Sequence, residues 1–323
     1  MLIYVAKRIF FIVIALVIIS LLTFTLMQFV PGNFLELKEV QLRISGSGAS
    51  QELNEKMLKD FQDKWGLNEP QYIQFLKFLK GAFTWDFGPS YQYPDKPMQE
   101  LIMEQLPISL KLALFAVALA LLIGIPIGIL AAVKQNSAWD FVPMGLSVFA
   151  MSIPAFIVGV LLILLLSLQL KWLPTQGWGN WYNYIIPVVA LSAGPVAIIA
   201  RYIRSSLIEQ LRQDYVTSAW AKGGNFKQVV FGHALRNSLI PLVTIMGPMI
   251  SGLIASAVVV EVMFLIPGMG INFAGAAGNR DLPMLMSFTF VYGIIVMIAN
   301  FMVDIAYTVI DPRIRYQRTK GGR

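Results

Sequence analysis

Six long runs of sequence nearly free of charge decide what this chain can fold into. They cover 9–30, 108–133, 139–169, 184–200, 241–264 and 284–310. A helix needs about 20 apolar residues to cross ~30 Å of hydrocarbon, where every backbone N–H and C=O must be satisfied inside the protein. Each run is therefore expected to be a membrane-spanning helix. Barrel strands would read as alternating segments of about ten residues, and none occurs. Composition agrees, with 57% of the 323 residues hydrophobic and 13% charged, against about 25% charged in soluble domains. The first run is too long for a signal-peptide core and has no small-residue cleavage site before Pro31, so it is kept as a span. The expected class is an all-α polytopic membrane protein with six transmembrane helices. Without cysteine, no disulfide, Fe–S cluster or thiol nucleophile is possible.

Orientation follows from the charges between spans. Six helices put both termini on one side. That side holds Lys7 and Arg8, six basic against two acidic residues in 201–240, and five against one in 311–323. The other side holds eight basic against eleven acidic in 31–107. Excess Lys and Arg marks the cytoplasm, so both termini and the 201–240 segment are expected inside. Trp172, Trp178, Trp181, Tyr182 and Tyr184 cluster where the third and fourth helices meet the outer interface. The net charge of +7 is thus a topology signal, and its dispersal over loops speaks against nucleic-acid binding.

The chain divides into a tail with the first helix (1–30), an extracytoplasmic segment (31–107), a membrane core (108–310) and a cytoplasmic tail (311–323). In the outer segment, Leu53, Met57, Phe61 and Trp65 recur at helical spacing and end at Gly66. A second helix is expected with Asn68 as cap, Pro70 in its first turn, Tyr72, Phe75, Leu76 and Leu79 on one face, and Gly81 as its stop. Trp85–Pro97 reads as irregular chain and Pro97–Gln105 as a short helix before the second span. About 75 residues of this kind can cap a membrane domain but not bury a standard core. A lid and a docking surface for a delivery partner both fit.

Between the fourth and fifth spans lies a polar, basic island, QDYVTSAWAKGGNFKQVVFGHALRNSLIP, at Gln213–Pro241. Asp214 is a helix-start signal, Tyr215–Lys222 reads as a short helix, and Gly223-Gly224 as its stop. Small Ser218, Ala219 and Ala221 allow another protein close to the helix backbone. Gly223 and Gly224 allow a reversal with φ > 0. Arg204, Arg212, Lys222, Lys227 and Arg236 suit an acidic partner or phospholipid headgroups. His233, the only histidine, fits loop support better than metal binding, having no second ligand at helical spacing.

No G-x-x-x-x-G-K-[ST] phosphate loop is present. Charges within the runs are few: Lys111 can snorkel outward, Asp304 lies near the inner exit, and Glu261 lies about 30 Å of helix beyond Pro241, near the outer interface. Ion- or proton-coupled transport would need carboxylates at mid-depth. An intramembrane protease would need a His or Lys beside a buried Ser, and His233 lies in the loop. Glu261 can pair with a basic group such as Arg280 or line an outer gate. The Gly-rich loop Pro267–Pro283 is expected to dip toward the pore as irregular chain.

DYVTSAWAKGG followed by HALRNSLIP resembles the coupling loop of binding-protein-dependent ABC importer permeases, and within them the B-type subunit of the dipeptide and oligopeptide branch. FGPSY (87–91), LPISLKLAL (106–114), IGIPIGILAA (123–132), SIPAF (152–156), WLPTQGW (172–178), VVVEVMFLIPGMG (258–270), RDLP (280–283) and DPRIR (311–315) resemble that branch in order, over nearly the whole chain. Thr217-Ser218-Ala219 stands where the broad importer motif has Glu-Ala-Ala. Pro241 lies 18 residues after Gly223, a longer spacing typical of the peptide branch. Ala255-Ser256 replaces the usual Leu-Gly.

The resemblance implies a type I importer fold with an outward helical segment after the first helix, forming half of a pore for peptides in a bacterial or archaeal cytoplasmic membrane. It implies no cofactor on this chain, with ATP and Mg held by partners. Those partners would be a homologous second permease, two ATPase subunits and an extracytoplasmic peptide-binding protein. The implied ATPase-coupling residues are Asp214, Tyr215, Thr217, Ser218, Ala219, Ala221, Lys222, Gly223, Arg236, Asn237 and Pro241. Pore or outer-gate candidates are Glu261, Phe264, Pro267, Gly268, Gly270, Arg280 and Asp281. The nature of the cargo stays open.

Overall fold

The computed structural model describes residues 2–30, 34, 59, 62, 63 and 65–310, and its regular elements there are helical. Among the described residues, five helices are long and apolar enough to span a membrane: Ala6–Phe29, Met98–Val133, Trp181–Leu211, Gln228–Phe264 and Leu282–Ile305. The expected third span is a bent pair, α4 (Ala138–Ser152) and Ala155–Gln169, turning by 106°. The cause is local. Pro154 pushes the preceding residue out of the helical region, and Ile153 sits extended at φ −96°, ψ 121°. Each arm is about 22 Å long, too short to cross alone. The second arm is α5 (Ala155–Leu162) followed by a π-helical stretch, Ile163–Gln169.

The chain forms two compact units, Met1–Pro107 with Gly268–Ile295, and Ile108–Pro267 with Val296–Arg323. In the first, α1 (Leu2–Phe29) turns most of its apolar surface outward, as a lipid-facing helix does. Its inward stripe is Leu16, Ser20 and Phe24. Phe24 meets Phe75 of α2 (Gln71–Thr84) with ring centroids 5.6 Å apart. The expected inner face of α2 needs revision. Tyr72 and Leu76 are exposed, while Phe78 and Ala82 pack into the core with Phe87 and Phe290.

Gly81 does not stop α2, which runs on to Thr84 and ends where Trp85 turns left-handed at φ 61°. A Cβ at Gly81 would lie 2.3 Å from the Asp86 carbonyl oxygen, so the glycine is there for close backbone approach. Pro70, not Asn68, precedes the first turn, and Asn68 donates to Asp63 instead. Leu53, Met57 and Phe61 lie outside the described residues. Pro97–Gln105 is not a separate helix: α3 (Met98–Val133) runs unbroken through it.

In the second unit, α6 (Ile185–Leu211) is the central element, packed on α4, α5 and α8 (Leu235–Phe264). It continues well beyond residue 200. The remainder of α3 crosses it through Gly124 and Gly128. A Cβ on Gly128 would sit 2.6 Å from the Ala200 carbonyl oxygen, and one on Gly124 2.9 Å from Ile199. Small residues four apart let two membrane helices touch backbone to side chain, where dispersion drives packing. Lys111 behaves as a snorkelling residue, its Nζ donating to the Tyr184 hydroxyl at 3.2 Å and lying 4.9 Å from that ring's centroid.

Candidate functional site

The island after α6 folds into a platform. Asp214 opens α7 (Asp214–Ala221) as its first residue, with Gln213 at the cap position. A carboxylate in the first turn complements the helix dipole. The helix ends at Gly223, whose φ is +82°; its N–H donates to the Trp220 carbonyl at 3.0 Å, and that of Gly224 to Ala219 at 3.1 Å. The next turn is stapled by Asn225 and Gln228, each side chain accepting from the other's backbone N–H at 2.9 and 3.1 Å. That is a reciprocal cap, legible as N-x-x-Q, which the sequence reading missed.

Val216 of α7 is fully buried with Val229, Val230, Ala234, Leu207 and Ala132. This small core fastens α7 to α3, to α6 and to the π-helical turn Gln228–Ala234 that begins the next span. The Tyr215 hydroxyl donates to Gln210 at 2.7 Å and accepts from Asn237 at 3.0 Å, so one phenol joins α7 to the helices on both sides. HALRNSLIP is therefore helix and not loop. Pro241 lies inside α8, less than two turns from its start.

The expected coupling residues divide between two faces. Thr217, Ser218, Ala221, Lys222 and Arg236 are exposed. Ala219 is half-buried and packs on the valine core, so its methyl faces inward. Exposed Trp220, Phe226 and Phe231 add an apolar component the sequence reading did not single out. His233 is exposed on the same turn.

Arg204 is not available to a partner. Its guanidinium grips the Asp140 carboxylate through Nε to Oδ1 and through Nη2 to Oδ2 at 2.7 Å, and the Asn136 N–H adds a contact at 3.0 Å. Asp140 is fully buried at the start of α4, so this pair pins α4 to α6.

The outer-gate candidates fall into both units. Glu261 and Phe264 are buried at the end of α8, where Leu265 turns left-handed and the Ile266 N–H returns to the Glu261 carbonyl at 2.9 Å. The Phe264 carbonyl accepts from the Gly177 N–H at 3.2 Å, tying WLPTQGW to this corner. Pro267 is exposed. In the other unit, the expected irregular loop is largely helix: α9 (Met269–Asn279) starts after buried Gly268, includes buried Gly270, and closes at Arg280, φ 58°.

Asp281 is a structural anchor in that unit. It caps α10 (Leu282–Ile310) through the Met284 N–H at 3.1 Å, and it accepts from the Ser90 hydroxyl at 2.5 Å and the Gln92 N–H at 2.9 Å. RDLP and FGPSY thus meet through one buried carboxylate. Burial, and then the charge of Asp281, push the neighbouring Tyr91 hydroxyl well above its usual range. Asp281→Ala should cost about 2–3 kcal/mol by orphaning buried donors, and Ser90→Ala about 1 kcal/mol. Thermal unfolding of the detergent-solubilised protein should rank Asp281→Ala below Ser90→Ala and both below wild type. Three equal melting temperatures would refute the anchor.

The chain matches the family described as "Binding-protein-dependent transport system inner membrane component" over residues 124–316, and that family's N-terminal membrane component over 1–113. It is 35% identical to the dipeptide transport system permease protein DppB of Bacillus subtilis (strain 168) over 315 residues, 98% of each chain. It is 39% identical to the oligopeptide transport system permease protein OppB of Haemophilus influenzae over 263 residues, 81% of this chain and 86% of the relative. Among solved structures, the inward-facing MetNI methionine ABC transporter matches with a TM-score of 0.57 at 19% identity, covering 66% of this chain and 98% of that one, a likeness of fold. The spans, the platform between the fourth and fifth, and the full-length relatives converge: the chain is a multi-pass permease subunit belonging to the inner-membrane component family of binding-protein-dependent ABC transport systems, in the branch of the dipeptide and oligopeptide permeases.

Proposed function

We propose that this chain forms half of the pore of an ATP-driven peptide importer, with the 108–310 core carrying the path. Its second half is a homologous permease, two ATPase subunits hold ATP and Mg, and an outside binding protein delivers the cargo. The observation that carries the reading is the construction of α7. A short helix is locked by a valine core and by Tyr215 to the ends of neighbouring spans, and it offers Ser218, Ala221, Trp220 and Lys222 outward. Such a helix transmits a push from a soluble motor, and the chain has no phosphate loop of its own.

Asp214, Thr217, Gly223, Arg236 and Asn237 complete this coupling surface, which faces the cytoplasm with both termini. Glu261, Phe264 and Pro267 belong to the outer end of the path. Tagged chain isolated from its own membranes should bring down ATPase subunits, and peptide uptake into proteoliposomes should need those subunits and ATP. In this cysteine-free chain, Asn180→Cys should react with an impermeant maleimide from outside intact cells and Gln228→Cys should not. Peptide uptake by the chain alone, or outside labelling at position 228, would overturn the reading.

A further inference from the structure

Arg201 lies one turn from Arg204 on α6, but its surroundings differ. Asp140 neutralises Arg204. Among the described residues, no carboxylate comes within ion-pair distance of Arg201, and its recorded polar contact is the Met151 thioether, Nη1 to Sδ 3.4 Å. A thioether is a weak acceptor and leaves the guanidinium's donors largely unused. Met151 is the penultimate residue of α4, so the side chain of Arg201 reaches toward the Pro154 break in the bent span. The charge pattern assigns Arg201 to the cytoplasmic segment 201–240. The structure puts it inside a long helix, three turns before the end. Arg201 is exposed there, toward the inner end of the helix, and its side chain opens on a groove.

A cavity is present. The open groove between α4 and α6 has a volume of 610 Å³, with Met144, Val148, Met151 and Ile198 as apolar wall, Arg201, Tyr202 and Ser205 as polar edge, and the Asp140–Arg204 pair at one end. Met151 and Ile198 also line a second cavity of 360 Å³, which extends to Pro154, Pro195, Pro248 and Ser256. Breaks or prolines of three spans therefore converge on one space. No charged side chain lines this second cavity. Pro195 has no N–H to give to its own helix, and it lines this space with Leu191 and Gly194. Both volumes are in the range of small-ligand sites.

Apolar walls and one guanidinium without a carboxylate partner match a short peptide with a free C-terminal carboxylate. We infer that Arg201 is a specificity-determining residue of the cargo path, its guanidinium receiving that carboxylate in the groove between α4 and α6. Guanidinium and carboxylate pair through two parallel hydrogen bonds, so a C-terminal amide should be a poor substitute. The inference rests on the peptide-import reading and extends it to one residue.

The test uses the assembled complex in membrane vesicles and has two arms. In the first, Ser205→Cys and Ser256→Cys are treated with an anionic and a cationic methanethiosulfonate, and labelling is followed by the mass of this chain. Both positions should react. The anionic reagent should gain about tenfold at position 205 from the nearby cation and lose that gain in an Arg201→Gln background. In the second arm, a tripeptide and its C-terminal amide are delivered by binding protein loaded to equal measured occupancy. Arg201→Gln should cut uptake of the acid about tenfold and change uptake of the amide little, with Arg201→Lys in between. Equal loss of both peptides would overturn the assignment. So would no reaction at either cysteine, as in a groove filled by lipid, or a charge preference that survives Arg201→Gln. If the wild-type complex imports neither peptide while the charge preference holds, peptide import fails as the function, and the groove remains an anion site.

Discussion

Peptide uptake by a complex carrying Gly223→Val is expected to fall about tenfold or more, with the chain present in the membrane at near wild-type level. Gly223 holds φ +82° at the end of α7, and a Cβ there would meet nothing within 4 Å. The substitution therefore strains backbone alone, by about 1–3 kcal/mol, which shifts a conformational equilibrium roughly 5- to 150-fold. A β-branched side chain disfavours this region most, so Gly223→Ala should fall between valine and wild type. The turn it distorts carries the hydrogen bonds that finish α7. Ser218→Trp tests the same element from outside: Ser218 is exposed, so the ring meets the docking partner and leaves the loop core intact. Ala219→Trp would mix two effects, since Ala219 packs on Val216, Val229 and Val230. Weakened ATPase co-isolation with Ser218→Trp, and uptake lost with both variants, are the expected results. Wild-type uptake in both would show that α7 is not the coupling element.

Breaking the Arg204–Asp140 pair should have the largest effect on stability. Asp140 is fully buried and accepts both guanidinium bonds, so Arg204→Ala leaves a carboxylate with no countercharge. Removing one partner of a fully buried pair costs about 3–5 kcal/mol, and the partial exposure of Arg204 puts this pair at the low end, whereas replacing both with apolar residues of similar size is often neutral. Arg204→Ala should therefore drop the abundance and melting temperature of the chain sharply. Arg204→Met combined with Asp140→Leu should restore much of both. A double variant no better than the single one would mean that the pair does more than hold α4 against α6. Arg201→Ala removes a neighbouring charge from the same helix without orphaning a carboxylate, and its loss of stability should be much smaller.

The sequence by itself determined the membrane class, the approximate place of the spans, the short helix after position 213 and the turn at Gly223. These features are carried by single residues or continuous runs. Hydrocarbon demands unbroken apolar stretches, and a glycine pair advertises a backbone reversal wherever it stands. Tertiary structure alone decided the rest. The run 139–169 read as one span, and its 106° turn at Pro154 depends on how two short arms pack. Gly81 read as a helix stop because a glycine needed for close approach to Asp86 looks the same in one dimension. Ala219 and Ser218 are adjacent small residues, and only the valine core beneath them separates an inward methyl from an outward hydroxyl. Asp281 finds Ser90 across 191 residues, and Arg204 finds Asp140 across 64. Hydrophobicity belongs to each residue and survives in the order of letters. The neutralisation of a buried charge belongs to two residues together, and their meeting is fixed by the packing of the helices that carry them.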